Sequence, residues 1–244
     1  MAARKQRGGK SQLIWERSEP TPRPTLEPLS RDLIVRASLA IADKEGLASV
    51  SLRNVGSALN AGPMRLYGFI TTKEELLDLM VDAVYGEMTF GDPIPKNWRK
   101  ALRSIARQTR QASHQHPWFV ELLGGRPHQG PNALAYLETT LGALSRAPGL
   151  EKIDAVLMAA KAINAYLIGA MRSEASESRA ERESGMSKAE WQNASGPYIS
   201  RMIATGRYPT LARVVRDATH PSADAVFEQG LETVLDGIEA RFPS

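Results

Sequence analysis

Between residues 51 and 73 the apolar positions fall into two short helical runs separated by turn residues. Leu52, Val55 and Leu59 recur at i, i+3 and i+7, which is one face of a helix. Ser51 stands just before them, where a hydroxyl can accept a bond from a backbone N–H of the first turn. Asn60-Ala61-Gly62-Pro63 interrupts the pattern. Asn and Gly tolerate the left-handed backbone that ends a helix, and Pro63 suits the first turn of the next. Leu66 continues the apolar face, while Met64, Arg65, Tyr67 and Gly68 point outward. Two helices across a tight turn, the second short with a neutral to basic outer face, form a helix-turn-helix.

The rest of the chain also reads as helix, with no internal repeat and no convincing strand, so the expected fold class is all-α. Ser30 caps a first helix reaching about Lys44, with Leu33, Ala37, Ala40 and Ile41 inward and Gly46 closing it. Thr72 or Thr71 caps a longer helix to about Thr89, with Leu76, Leu77, Met80, Val81 and Val84 inward. A boundary follows at residues 90–95. Asn97 caps a helix striped by Trp98, Leu102, Ile105, Thr109 and Ala112. Residues 118–123 form a short segment, and residues 132–145 a helix with Leu134, Leu137, Leu141 and Leu144 inward. From Glu151 to about Ser176 the helix is apolar almost all round, which calls for burial on two sides. Residues 173–187 read as a charged loop, Ser187 starts a helix carrying Trp191, Tyr198 and Met202, and residues 206–221 read as an irregular return. Ser222 caps the last helix, with Phe227, Leu231, Val234, Leu235 and Ile238 inward.

Composition narrows the function classes. The 244 residues suffice for a substantial core, and no uninterrupted apolar run approaches the roughly 20 residues of a membrane span. Cysteine is absent, which removes disulfides, zinc-finger sites and thiol chemistry. No signal-type apolar region follows the N-terminus, and a cytoplasmic location is expected. His114 and His116 diverge on a helix and have no acid pair beside them, so no metal or cofactor is expected. No phosphate-cradling glycine loop or nucleophile triad points to an enzyme. The net charge of +4 is unevenly distributed. Residues 1–28 read as a flexible basic arm with Arg4, Lys5, Arg7 and Lys10 clustered and Leu13, Ile14 and Trp15 as a small anchor. Such an arm adds non-specific attraction or reaches an adjacent minor groove. Lys96, Arg99, Lys100, Arg103, Arg107 and Arg110 form a second block without acids, either a solvated helix face or a lure for an anion.

Residues 29–84 resemble the DNA-binding domain of TetR-family transcriptional regulators. The resemblance rests on the Ala/Leu-rich first helix, Glu45-Gly46-Leu47, Ser51-x-Arg53, Leu66-Tyr67 and Lys73-x-x-Leu76-Leu77. A second set is similar to the C-terminal domain of the tetracycline-repressor subgroup: Trp98-Arg99-x-x-Leu102, His116-Pro117-Trp118, Gly130-Pro131-Asn132-Ala133, Ala165-Tyr166-x-x-Gly169 and Phe227-x-x-Gly230-Leu231.

The resemblance implies a DNA-binding domain over 29–90 and a helical ligand-binding and dimerisation domain over 91–244. It implies a homodimer built on the helix from Glu151 and the last helix, where Gly230 and Gly237 permit close approach. It implies a repressor released from double-stranded operator DNA by a small-molecule effector; an activator or global regulator of the same fold is the alternative. Carried over by position, Arg53 contacts a base, Gly62, Pro63, Met64 and Arg65 face bases, and Tyr67 and Lys73 meet phosphates with Ser51 and Thr72. Gly68 stands where a larger side chain is common and Phe69 where His or Tyr is usual, so the operator cannot be transferred from a relative. Trp118, Phe119, Tyr136, Met158, Asn164, Tyr166 and Met171 are candidates for an apolar effector pocket with polar handles. Plain core packing is the competing role for each aromatic and methionine.

Overall fold

The computed structural model describes residues 13–20, 29–90 and 94–242. The arm of residues 1–12, the stretch 21–28 and residues 91–93 of the boundary lie outside the described residues. Among the described residues every regular element is helical. In order they are α1 (Arg31–Glu45), α2 (Leu52–Ala58), α3 (Pro63–Leu66), α4 (Lys73–Glu87), α5 (Trp98–Gln115) and α6 (Phe119–Leu122). Then follow α7 (Pro131–Leu144), α8 (Ile153–Ser184), α9 (Lys188–Ala204), α10 (Pro209–Asp217) and α11 (Ala223–Arg241). The chain divides into two compact units, residues 1–89 with 125–138, and residues 90–124 with 139–244. Where the sequence places one cut near residue 90, the structure thus assigns residues 125–138 to the first unit.

The first unit is built from capped helices. Ser30, Ser51 and Thr72 each accept a bond from the N–H three residues on, at 3.2, 3.1 and 3.2 Å. Its core holds Ile34, Val50, Val55, Leu66, Ile70, Leu76 and Met80, all fully buried. In α1 the buried stripe is Ile34, Val35, Ser38, Leu39 and Ala42. The expected Leu33, Ala37 and Ile41 are half-buried and Ala40 is exposed. The helix has two candidate stripes. The one containing Ser38 wins because its hydroxyl donates to the Ile34 carbonyl at 2.8 Å and enters the core satisfied. Ahead of α1, the 3-10 helix Ile14–Glu16 buries Ile14, the centre of the expected anchor.

In this unit Asp82 of α4 is buried and holds the start of α7. Its carboxylate accepts from the Ala133 N–H at 2.8 Å and from the Asn132 side-chain amide at 3.1 Å. A Cβ on Gly130 would fall 2.2 Å from the same carboxylate, so this approach requires glycine. Burial pushes the Asp82 carboxyl above the ordinary range, against these hydrogen bonds that favour the ion.

The second unit buries Trp98, Leu102, Ile105, Phe119, Leu167, Phe227, Leu231 and Leu235. The arginines of the α5 ridge are engaged in ion pairs, with Arg107 the most exposed of the four. Arg99 meets Glu232, Asp236 and Glu239, Arg103 forks onto Glu232, Arg107 forks onto Glu228, and Arg110 joins Glu174 and Asp224. Cations rising along α5 meet acids falling along α11, so the two helices run antiparallel. Tyr166 of α8 donates to the Phe227 carbonyl at 2.6 Å, and a Cβ on Gly230 would lie 2.5 Å from its hydroxyl. Gly230 therefore serves the α8–α11 packing inside one chain.

Three expectations are corrected here. Residues 173–187 are not a loop: α8 continues to Ser184 and ends at Gly185 in the left-handed conformation, φ +67°. Its last third is rich in Glu, Arg, Ala and Ser, and a solvated helix needs no apolar stripe when it holds pairs such as Arg179–Glu121 at 2.6 Å. The irregular return contains α10, which starts with Pro209 in its first turn. Leu134 and Leu137 of α7, expected inward, are exposed, while Ala133, Ala143 and Leu144 are buried. α8 is long and apolar enough to cross a membrane by length and composition alone. Yet Val156, Ala159, Ile163, Leu167 and Met171 of α8 pack into the core of this unit.

Candidate nucleic-acid interface

The turn between α2 and α3 is set by backbone geometry. Asn60 adopts φ +49°, the left-handed conformation that Asn tolerates best after Gly. The chain then folds back so that the Ala61 N–H donates to the Gly56 carbonyl at 2.8 Å. A Cβ on Gly56 would meet the Ala61 carbonyl oxygen at 2.6 Å, and Gly56 is buried. No side chain fits there. Gly62 is extended, at φ −61°, and leads into Pro63 at the first position of α3.

α3 is a single turn whose orientation is fixed by Leu66, fully buried beneath it, and by Phe69 and Ile70 just beyond. Phe69, unusual for the resemblance, is therefore core. With Leu66 inward, Met64 is 81% exposed and Tyr67 50% exposed. Gly62, Pro63 and Gly68 are exposed too, and Arg65 is half-buried. On α2 Arg53 is exposed beside the cap residue Ser51, and Lys73 is exposed behind Thr72 at the start of α4. Arg53 and Lys73 form no ion pair among the described residues. Short helices thus present two free cations, a flexible methionine, a phenol and a further arginine on the surface of the first unit. Such a surface suits a polyanion with base edges between its phosphates.

The start of α4 is also the positive end of a 15-residue helix, which favours a phosphate there. Glu75 offsets part of this field. It accepts from the Thr71 N–H at 2.7 Å and pairs with Arg17. Burial alone would raise its carboxyl, but the Thr71 and Arg17 contacts prevail and hold it below the ordinary range.

The seven residues expected to line an effector pocket do not converge. Trp118, Phe119 and Met171 are buried in the core of the second unit. Tyr166 is half-buried with its hydroxyl spent on the Phe227 carbonyl, and Asn164 is exposed. Tyr136 lies in the first unit, its ring 4.9 Å from that of Tyr85. Met158 is 61% exposed and lines an apolar groove of about 600 Å³ between α8 and α11, with Ala155, Ala162, Val234 and Gly237. Two features escape a reading of the sequence. Gly56 looks like a weak helix residue until the returning Ala61 carbonyl is placed beside it. Asp82 looks like a surface acid on α4, and its only sequence signal is an Asp at a position between Val81 and Val84.

Known proteins share this sequence and fold. Residues 92–242 match the model of the tetracyclin repressor-like C-terminal domain. The chain is 37% identical over 238 residues to the HTH-type transcriptional repressor DrrR1 of Streptomyces coeruleorubidus, covering 93% of this chain and 84% of that one. An HTH-type transcriptional regulator of Saccharopolyspora erythraea is 31% identical over 93% of this chain and 91% of its own length. Apo ActR from Streptomyces coelicolor superposes with a TM-score of 0.75 at 26% identity, over 88% of this chain and 97% of that one. ActR in complex with actinorhodin gives a TM-score of 0.76 at 25% identity, over 90% and 99%. The matched domain, the relatives and the exposed recognition surface together place this chain in the TetR family of helix-turn-helix, DNA-binding transcriptional regulators.

Proposed function

We propose that the chain is a cytoplasmic homodimeric repressor that holds a two-fold operator and lets go of it when a small-molecule effector binds the second unit. The observation that carries the reading is the α3 surface. Leu66 anchors one turn of helix so that Met64 and Tyr67 are exposed and Arg65 half-buried, with Arg53 exposed on α2 and Lys73 exposed at the start of α4. Arg65 and Arg53 read bases, Met64 meets a thymine methyl, and Tyr67, Lys73, Ser51 and Thr72 hold phosphates. The dimer is supported by what α8 and α11 leave uncovered: Ile153, Leu157 and Met158 on α8, Val226 on α11, and the apolar groove between the helices. A second copy covers these surfaces and sets the two α3 helices about 34–36 Å apart, the separation of successive major grooves on one side of a duplex.

Release follows from linkage. An effector that favours a dimer with another spacing lowers DNA affinity by the same factor by which DNA lowers effector affinity. A small-molecule effector is supported by the structural neighbours: ActR is seen in complex with actinorhodin and with (S)-DNPA, and a TetR variant from Acinetobacter baumannii with minocycline. Within the second unit the exposed Asn164 and the half-buried Tyr166 keep surface for contact. The test is selection of bound fragments from random DNA by the purified protein at near-physiological salt. A palindrome with half-sites about one to one and a half turns apart is expected, and enrichment of no sequence would overturn the reading.

A further inference from the structure

Resting on that DNA-binding reading, we infer that Arg17 is a positioning residue for DNA binding, one that cancels the Glu75 carboxylate at the phosphate-facing start of α4. α4 opens with Lys73, Glu74 and Glu75, one cation against two acids. A phosphate drawn to Lys73 and the helix N-terminus would meet an uncompensated negative charge there. Arg17 supplies the missing cation from outside the helix-turn-helix and makes the balance two against two.

The geometry commits Arg17 to this acid. Its Nη2 lies 2.5 Å from Glu75 Oε2, and its Nη1 donates to the Thr71 hydroxyl at 2.5 Å. The same Glu75 oxygen accepts from the Thr71 N–H at 2.7 Å, so the carboxylate is turned back onto the chain that leads into α4. Although burial raises the Glu75 carboxyl, Thr71 and Arg17 bring it below the ordinary range, so at neutral pH it is an anion whose charge must be met. The Arg17 Nε and Nη2 atoms are buried. The guanidinium therefore faces the protein, and it acts on DNA through Glu75 without touching it.

Three contacts hold Arg17 in this place. Ile14, 4% exposed, anchors the 3-10 helix that precedes it. Arg31 of α1 donates to the Arg17 carbonyl at 2.6 Å and to the Phe69 carbonyl at 3.3 Å, so one cation ties the segment to the chain leaving α3. Further on, a Cβ on Gly68 would lie 3.4 Å from the Pro20 ring. Gly68, the departure from the family pattern, leaves that path open.

The experiment measures binding of the native chain, Arg17→Gln, Glu75→Gln and the double variant to the selected operator duplex and to a random duplex. It runs across a salt series, with urea unfolding of each protein alongside. Arg17→Gln keeps a donor for the Thr71 hydroxyl and removes the charge. It is expected to weaken binding to both duplexes on the order of tenfold, because phosphates are common to both. Glu75→Gln keeps an oxygen for the Thr71 N–H. Alone it is expected to bind at least as tightly as the native chain, and in the double variant to restore most of the lost affinity. A structural tether would not be rescued: affinity would follow unfolding stability and stay low in the double variant, which would overturn the inference. A direct Arg17–phosphate contact would flatten the plot of log K against log salt by about 0.9 in Arg17→Gln and in the double variant alike, which would overturn it too. Native affinity in Arg17→Gln would remove the role of Arg17 and leave the regulator reading intact. A native chain that binds neither duplex would overturn both.

Discussion

At the level of single residues, the α3 surface divides, in the proposed reading, into base-facing and phosphate-facing side chains. In that reading Arg65 meets two acceptors on a guanine edge, a contact worth about 1–3 kcal/mol of discrimination. Arg65→Ala is expected to relax base preference at one position of the half-site, read by repeating the selection with the variant. Tyr67 offers one hydroxyl, so Tyr67→Phe is expected to weaken binding to every sequence alike in a titration of matched and random duplexes. Unchanged affinity for the best site in both variants would mean that another surface reads the DNA. Gly56 sits one layer below. Its missing Cβ leaves room for the Ala61 carbonyl at 2.6 Å. Gly56→Ala must shift the turn, and a loss of roughly 1–3 kcal/mol in urea unfolding is expected, with weaker operator binding, because α3 moves with the turn. Most of this surface was legible in the chain, because capping residues, Asn60, Pro63 and one buried leucine act locally. Gly56 was not legible, because its reason is a backbone five residues away that has already turned.

Among elements, legibility followed the apolar stripe. α5 was read in phase because Trp98, Leu102, Ile105, Thr109 and Ala112 mark a single stripe; all five are buried, and Ala101, Ala106 and Ser113 widen the face. α1 was read out of phase because two stripes compete and a satisfied serine decides between them. The last third of α8 was missed because a solvated helix leaves no stripe to read, and α10 because its short apolar face, Leu211, Val214 and Val215, is left exposed between turn residues. The pairing of α5 with α11 was present as arithmetic: cations at 99, 103, 107 and 110 mirror acids at 236, 232, 228 and 224. What the chain alone could not supply was the antiparallel approach that brings them together. Glu232 is the hub, taking a forked bond from Arg103 and a second contact from Arg99. These bonds, Arg103 first, hold its carboxyl down at about 2 against an ordinary 4.5. A carboxyl lowered by folding stabilises the fold above its unfolded pKa, and that contribution fades as pH falls through the folded value. Acid unfolding between about pH 4.5 and 2 is therefore expected to be steeper in the native chain than in Glu232→Gln, whose loss at neutral pH is on the order of 1 kcal/mol. Parallel acid titrations of the two proteins, followed by circular dichroism, check this. Asp82 titrates the other way, its folded carboxyl lying above the unfolded value, so protonating it does not add to acid unfolding. Asp82→Ala instead removes the hydrogen bonds that fix the start of α7 to α4, and about 1 kcal/mol of stability is expected to go with them.

For the whole molecule, the decisive feature is how much of the second unit a single chain leaves uncovered. α9 and α10 bury no residue, and Trp191, Tyr198, Leu211, Val214 and Val215 are exposed along them. α9 even carries Pro197 in its interior, which removes a helical hydrogen bond and disfavours the helix by about 3 kcal/mol. An isolated helix of 17 residues is marginal in water without such a break, so α9 is expected to gain its order from a covering surface. Ile153, Leu157 and Met158 on α8 expose apolar area of the same kind, next to the α8–α11 groove. A stable interface needs roughly 800 Å² from each partner. Leu157→Asp tests the dimer without threatening the single-chain fold, since Leu157 is 43% exposed and a charge there meets solvent in the monomer. In the dimer the same charge is buried without a partner, at a cost of several kcal/mol. Sedimentation at micromolar concentration is expected to give a dimer for the native chain and a monomer for the variant, with helical content otherwise preserved outside α9. Operator affinity should then collapse by orders of magnitude, because each α3 binds alone and the effective concentration of the second is lost. Arg65→Ala should stay dimeric, which separates assembly from readout. A Leu157→Asp protein that remains a dimer would place the interface elsewhere, and the spacing of the two recognition helices would then have to be set by other helices than α8 and α11.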